Sequence, residues 1–171
     1  MSSSPRGVER LNALPPHDAE QELLTCCGSR AWARSVAAGR PYADAAALKA
    51  ASDRAFAGLT WPEVREALHH HPRIGDRPKG VDRESTWSRS EQSGVIDADR
   101  RVAHGLHEGN AAYEKRFGHV FLICATGLTA EQMLDALTAR LGNDDATERR
   151  VVTDELLKIT HVRLDKLLEH P

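Results

Sequence analysis

Several things are missing from this chain, and each absence removes a class of function. Lys and Arg number 23 against 25 Asp and Glu, giving a formal net charge of -2 and a pI near 6.5. That leaves none of the basic surplus a nucleic-acid binder uses to displace counterions from phosphates, so no nucleic-acid partner is expected. No apolar run approaches the roughly 20 residues that span a bilayer. The Ser-rich start, Met1 to Ser4, has no hydrophobic signal core behind it. With the Ala- and Arg-rich composition, these features predict a bacterial cytoplasmic protein with no membrane attachment. The last three residues, Glu169-His170-Pro171, are no peroxisomal address.

The three cysteines, Cys26, Cys27 and Cys124, form an odd set with an adjacent pair, which suits neither a disulfide framework nor a zinc knuckle. They read as reduced packing residues. The glycines are scattered singly, so no phosphate-cradling or dinucleotide loop is present, and phosphoryl and hydride transfer drop out. No internal repeat and no low-complexity linker interrupts the 171 residues, a length that fits one domain. The expected organisation is a disordered tail over residues 1–7 and a domain over 8–169.

Apolar residues recur at spacings of three and four, and strict alternation never persists, which predicts an all-α, single-domain bundle of about eight helices. Expected helices cover roughly 8–13, 19–27, 29–38, 43–57, 61–70, 86–94, 97–116, 129–141 and 145–169. Thr60-Trp61-Pro62-Glu63 and Thr129-Ala130-Glu131-Gln132 have capping-box spacing. Val120 to Ala125 is too short and apolar for either a helix or a surface loop, and is expected to be extended and buried.

Three side chains suggest acid/base chemistry on a small anion. His71 precedes Pro72, which bars helical geometry and fixes the imidazole at a helix-to-loop transition. His69 and His70, its neighbours, point in other directions on a helix, so the trio cannot grip a metal as an i, i+4 pair would. No metal is expected. Glu91 lies in Ser88-Arg89-Ser90-Glu91-Gln92, where a Ser88–Glu91 capping box would account for both ends without any function. Gln92 adds a polar group such a cap does not need. Arg163 shares a stripe with Leu156, Ile159 and Leu167, and a cation so placed requires an anion, from the protein or from a ligand. Cys124, inside Phe121-Leu122-Ile123-Cys124, reads as a small buried hydrophobe rather than a nucleophile.

Four segments together carry a resemblance: His71-Pro72-Arg73-Ile74-Gly75, Ser88-x-x-Glu91-Gln92-x-Gly94, Tyr113-x-Lys115-Arg116-Phe117-Gly118-x-x-Phe121 and Lys158-Ile159-x-x-x-Arg163-Leu164. In order and spacing they resemble the 2-oxo-4-hydroxy-4-carboxy-5-ureidoimidazoline (OHCU) decarboxylase family of urate breakdown, over roughly Val8 to Leu168. The resemblance implies an all-α fold, a cofactor-independent decarboxylation giving (S)-allantoin, and a homodimer. It further implies His71, Glu91 and Arg163 as catalytic residues. Pro72, Ser88, Gln92 and the stretch Leu122, Ile123, Cys124, Ala125 and Thr126 would line the substrate. Eukaryotic relatives often read His-Pro-Asp-Leu at the first segment, so Arg73 is not expected to contact substrate. The alternatives are a lyase or hydrolase acting on a related ureido ring, and a non-enzymatic helical interaction domain in which the three side chains form a structural network.

Overall fold

The computed structural model describes residues 5–76, 82–95 and 99–169, and all the regular structure among them is helical. The described residues form nine α-helices and one 3-10 turn: α1 (Pro5–Ala13), α2 (Pro16–Leu24), α3 (Arg30–Ala38), α4 (Ala45–Ala57), α5 (Trp61–Leu68), α6 (Arg83–Glu91), the turn Ser93–Val95, α7 (Arg100–Phe117), α8 (Ala130–Arg140) and α9 (Asp145–Glu169). The expected all-α class holds. They group into two compact units, one from Met1–Ala67 with Leu157–Pro171 and one from Leu68–Leu156.

Helix starts follow local chemistry. The carboxylates of Asp44, Asp82 and Asp99 accept from the backbone N–H three residues on, and Ser29 does so for α3. Thr129 and Gln132 complete the expected capping box of α8. Glu63 reaches back to the Thr60 N–H at 2.7 Å. Prolines move two boundaries: α1 begins at Pro5 and α2 has Pro16 in its first turn, because a residue without an N–H costs a helix nothing there. Residues 5–7 of the expected disordered tail are therefore helical, while residues 1–4 lie outside the described residues.

In the first unit, Leu11, Leu23, Trp32, Leu48, Leu164 and Leu167 are fully buried. Trp32 satisfies its indole N–H on Ser52 Oγ at 3.1 Å, so the largest core side chain leaves no orphan donor. Arg40 closes the end of α1 by donating to the carbonyls of Leu11 and Leu14 at 2.8 and 2.7 Å.

In the second unit, α7 lays Leu106 and Tyr113 against Met133 and Leu137 of α8, with Ile74, Phe121 and Ile123 joining the same core. Gly118 ends α7 in the left-handed region at φ +78°, turning the chain into the segment 120–125. That segment is buried at Phe121, Leu122, Ile123 and Ala125 as expected, and forms neither helix nor ladder.

Candidate active site

His71 follows the end of α5, its N–H donating to Leu68 O at 3.1 Å in the last turn before Pro72 breaks the helix. Three connections hold the next residues within the second unit. Arg73 pairs with Glu114 of α7 through two nitrogens at 2.7 and 2.8 Å, Ile74 O accepts from Asn110 Nδ2 at 2.8 Å, and Gly75 N–H donates to Gln92 Oε1 at 3.0 Å. The exposed Arg73 is thus committed to the half-buried Glu114 carboxylate, which hydrogen-bonds it and raises its pKa above the ordinary arginine value. Residues 77–81, beyond Asp76, lie outside the described residues.

Glu91 is the last residue of α6, not the third residue of a capping box. The helix starts earlier than the expected residue 86: Asp82 is its N-cap, accepting from Ser85 N–H at 3.1 Å, and hydrogen bonds from Ser85 hold its carboxyl below the usual range. Ser88 sits inside the helix and is buried. With Asp82 as the cap, residues 83–87 are already helical, so Ser88 lies inside α6 and cannot start it. The capping-box account of Glu91 falls with it, and at the C-terminus of α6 the carboxylate faces the unfavourable end of the dipole. Gln92, the C-cap, spends its side-chain oxygen on Gly75 and keeps its amide N–H groups for other partners.

Gly94 lies in the Ser93–Val95 turn after α6. A Cβ there would lie 2.1 Å from Leu128 O, so the turn after Glu91 packs directly on the backbone just past Thr126. Within 122–126, Leu122, Ile123 and Ala125 are buried, Cys124 is half-buried and Thr126 exposed. The apolar side chains of this stretch are buried, and its Cys124 N–H donates to Glu155 Oε2 at 3.4 Å.

Sequence reasoning missed the group that fixes this stretch. Arg140 donates to Leu122 O at 2.7 Å, stacks over Phe121 with 4.5 Å to the ring centroid, and pairs with Glu148, which has no exposed surface. Tyr113 Oη also donates to Glu148, and Asn143 donates to its other oxygen at 3.0 Å. Burial, then the Glu148 carboxylate, push the Tyr113 hydroxyl far above its ordinary pKa, so it stays a donor. Arg140 and Glu148 stand eight residues apart across the break between α8 and α9, so no single-helix periodicity links them.

Arg163 lies in the first unit, on α9, 2% exposed, and Leu156, Ile159 and Leu167 of its stripe are buried too. Near it, Cys27 is a free thiol that burial pushes up to about 11, against the opposing pull of Ser29, Thr160 and Arg163. Cys26, buried, and Cys124, half-buried, are likewise thiols outside any disulfide. Among the described residues no three His, Cys, Asp or Glu side chains are grouped to hold a metal ion, and no helix is long and apolar enough to cross a membrane.

The described residues define an all-helical protein. The chain belongs to the OHCU decarboxylase family, whose profile matches residues 12–165. The OHCU decarboxylase of Amia calva is 32% identical over 141 residues, covering 81% of each chain. The uric acid degradation bifunctional protein TTL of Arabidopsis thaliana is 34% identical over 86% of this chain, which spans only 47% of that protein, about half its length. Among solved structures, an OHCU decarboxylase crystallised in the presence of (S)-allantoin superimposes with a TM-score of 0.75 at 28% identity, over 86% of this chain and 96% of that one. An (S)-allantoin synthase shares the fold, with a TM-score of 0.71 at 18% identity over 94% of this chain and 53% of that one.

Proposed function

We propose that this chain decarboxylates 2-oxo-4-hydroxy-4-carboxy-5-ureidoimidazoline to (S)-allantoin without a cofactor, with His71, Glu91 and Arg163 as the catalytic groups. The observation that carries the reading is the hydrogen bond from Gly75 N–H to Gln92 Oε1, which ties the loop following His71 to the residue beside Glu91. Membership of the family over residues 12–165 supports the substrate.

The substrate carries its own electron sink. Cleavage of the bond between ring carbon and carboxylate releases carbon dioxide, and the electron pair left behind conjugates into the adjoining ring C=N, whose nitrogen takes up a proton. The ring carbon that bore the carboxylate keeps its hydroxyl and becomes half of an enol. Loss of the hydroxyl proton forms the ring carbonyl, and a proton delivered to the neighbouring carbon completes allantoin. A separate cofactor would supply a sink already present.

His71 and Glu91 serve two of these three proton movements, one engaging the hydroxyl and the other delivering to the carbon. Arg163 stabilises the anionic oxygen as charge develops, a task for a preorganised planar guanidinium. Ser88, Gln92, Pro72 and the backbone of Leu122 to Thr126 orient the ring. Delivery of the carbon proton to one face sets the hand of the product. The same reading carries a bacterial cytoplasmic homodimer.

The test is chiral. Freshly generated substrate is mixed with the protein and circular dichroism is followed: build-up of (S)-allantoin faster than spontaneous decay to racemate supports the reading. Unaltered spontaneous decay overturns it, and turnover to a different ureido product reassigns the chain to another lyase or hydrolase on a related ring.

A further inference from the structure

We infer that Asn110 is a positioning residue for His71, acting through the carbonyl of Ile74; this rests on the catalytic role proposed for His71. Asn110 occupies a core position of α7, whose buried residues Val102, Leu106, Asn110 and Tyr113 recur at helical spacing. Leucine would satisfy that stripe. The amide instead is 3% exposed, donates from Nδ2 to Ile74 O at 2.8 Å, and leaves its Oδ1 buried with no hydrogen-bond partner among the described residues.

An orphaned buried acceptor is a cost an apolar isostere would not carry, so the amide is poorly explained by stability. What it does is local. Ile74 is itself buried, and its carbonyl could not otherwise reach water from the core of the second unit. Asn110 anchors the backbone three residues after His71, between the Arg73–Glu114 pair on one side and the Gly75–Gln92 bond on the other.

Of the three anchors, the Arg73 pair is exposed and Gly75 is held by a side chain at a helix end, whereas Asn110 projects from the middle of α7. A loop held by solvent-screened contacts alone would sample several backbone positions, and the imidazole would move with it. The buried amide fixes the backbone where the Ile74 side chain, packed in the core, fixes only the side-chain end. Misplacement of a reacting group by about 1 Å can cost on the order of 100-fold in rate, which makes such an anchor worth an unsatisfied oxygen.

Asn110→Leu and Asn110→Asp test this in the full-length protein. Asn110→Leu keeps the volume and removes the donor, so it is expected to fold, with kcat reduced at least about tenfold and KM changed less than about threefold, because orientation rather than binding is lost. The His71 imidazole resonance, assigned by its disappearance in His71→Ala, is expected to shift or broaden. Asn110→Asp carries a carboxylate that cannot donate to Ile74 O until protonated, so its activity relative to the parent is expected to recover as pH falls. A folded Asn110→Leu with kcat within twofold of the parent, or with the His71 resonance unmoved, overturns the inference. Should Asn110→Leu not fold, a flat ratio of Asn110→Asp to parent activity across pH overturns it instead. If the parent protein itself does not turn over the substrate, the proposed function fails, while the His71 resonance still reads the anchor.

Discussion

Arg140 holds Leu122 by its carbonyl at 2.7 Å while the same guanidinium pairs with a wholly buried Glu148. A charge pair so placed gives little net stability, because desolvation offsets attraction, yet it is costly to break from one side. Its yield is geometric: a rigid planar group fixes the backbone of a stretch that has no helix or ladder of its own.

Arg140→Met leaves Glu148 buried beside two neutral donors, Tyr113 and Asn143, and is expected to destabilise by about 3–5 kcal/mol. For a chain of this size that corresponds to a melting-point drop of roughly 6–20 °C. Adding Glu148→Met should restore much of the loss, since the stranded charge is gone. A thermal melt of the singles and the double checks this, and strictly additive losses would show that the two side chains are not coupled.

Glu91 ends α6 and Asp82 caps its start, so the two carboxylates have separable effects. Glu91→Gln should leave the melting point within a few degrees and reduce decarboxylation at least about 100-fold, the scale of a lost acid/base group. Asp82→Ala should fray α6, seen as lost helical signal, and the deficit should be smaller at acid pH. The sign follows from the direction of the shift: the carboxyl is held below its ordinary pKa, so its stabilisation is complete above the unfolded value and is lost as pH falls through the folded one.

The helices were legible because their signals are local: apolar spacing, prolines at first turns, and Asp, Ser or Thr at caps. The mistake at α6 has the same origin. Ser88 and Glu91 have capping-box spacing, but so short and polar a helix gives no periodicity to fix its start, and Asp82 takes the cap. His71, Glu91 and Arg163 could be singled out since each departs from its surroundings in sequence. Asn110, Arg140 and Glu148 could not, because their partners are distant main-chain or side-chain atoms that spacing does not encode.

Cys27 makes a prediction at alkaline pH. Burial raises its thiol from 9.0 to about 11, so between those values the unfolded chain gives up a proton that the folded chain retains, and stability falls as pH rises. The full effect is about 2–3 kcal/mol, two pKa steps at about 1.4 each. Urea midpoints measured from pH 8 to 11 should fall more steeply in the parent than in Cys27→Ala, whatever their values at pH 8. Tyr113, also raised by burial, adds a loss in the same direction that both proteins share. Equal slopes would remove Cys27 from the account.

Arg163 separates function from stability most sharply. It is 2% exposed in a stripe otherwise formed by Leu156, Ile159 and Leu167, where methionine would pack without desolvating a charge. Arg163→Met is expected to stay folded, with a melting point near or above the parent's, and to lose decarboxylation. Arg163→Lys keeps the charge without the planar fork, and should fold yet recover little activity, as a point charge cannot hold two oxygens in one plane. A thiol titration adds a reading independent of turnover: the Arg163 charge lowers the Cys27 pKa, so the methionine variant should ionise Cys27 at higher pH and the lysine variant close to the parent. If Arg163→Met unfolds instead, the guanidinium serves an internal ion pair, and its proposed role on the substrate is withdrawn.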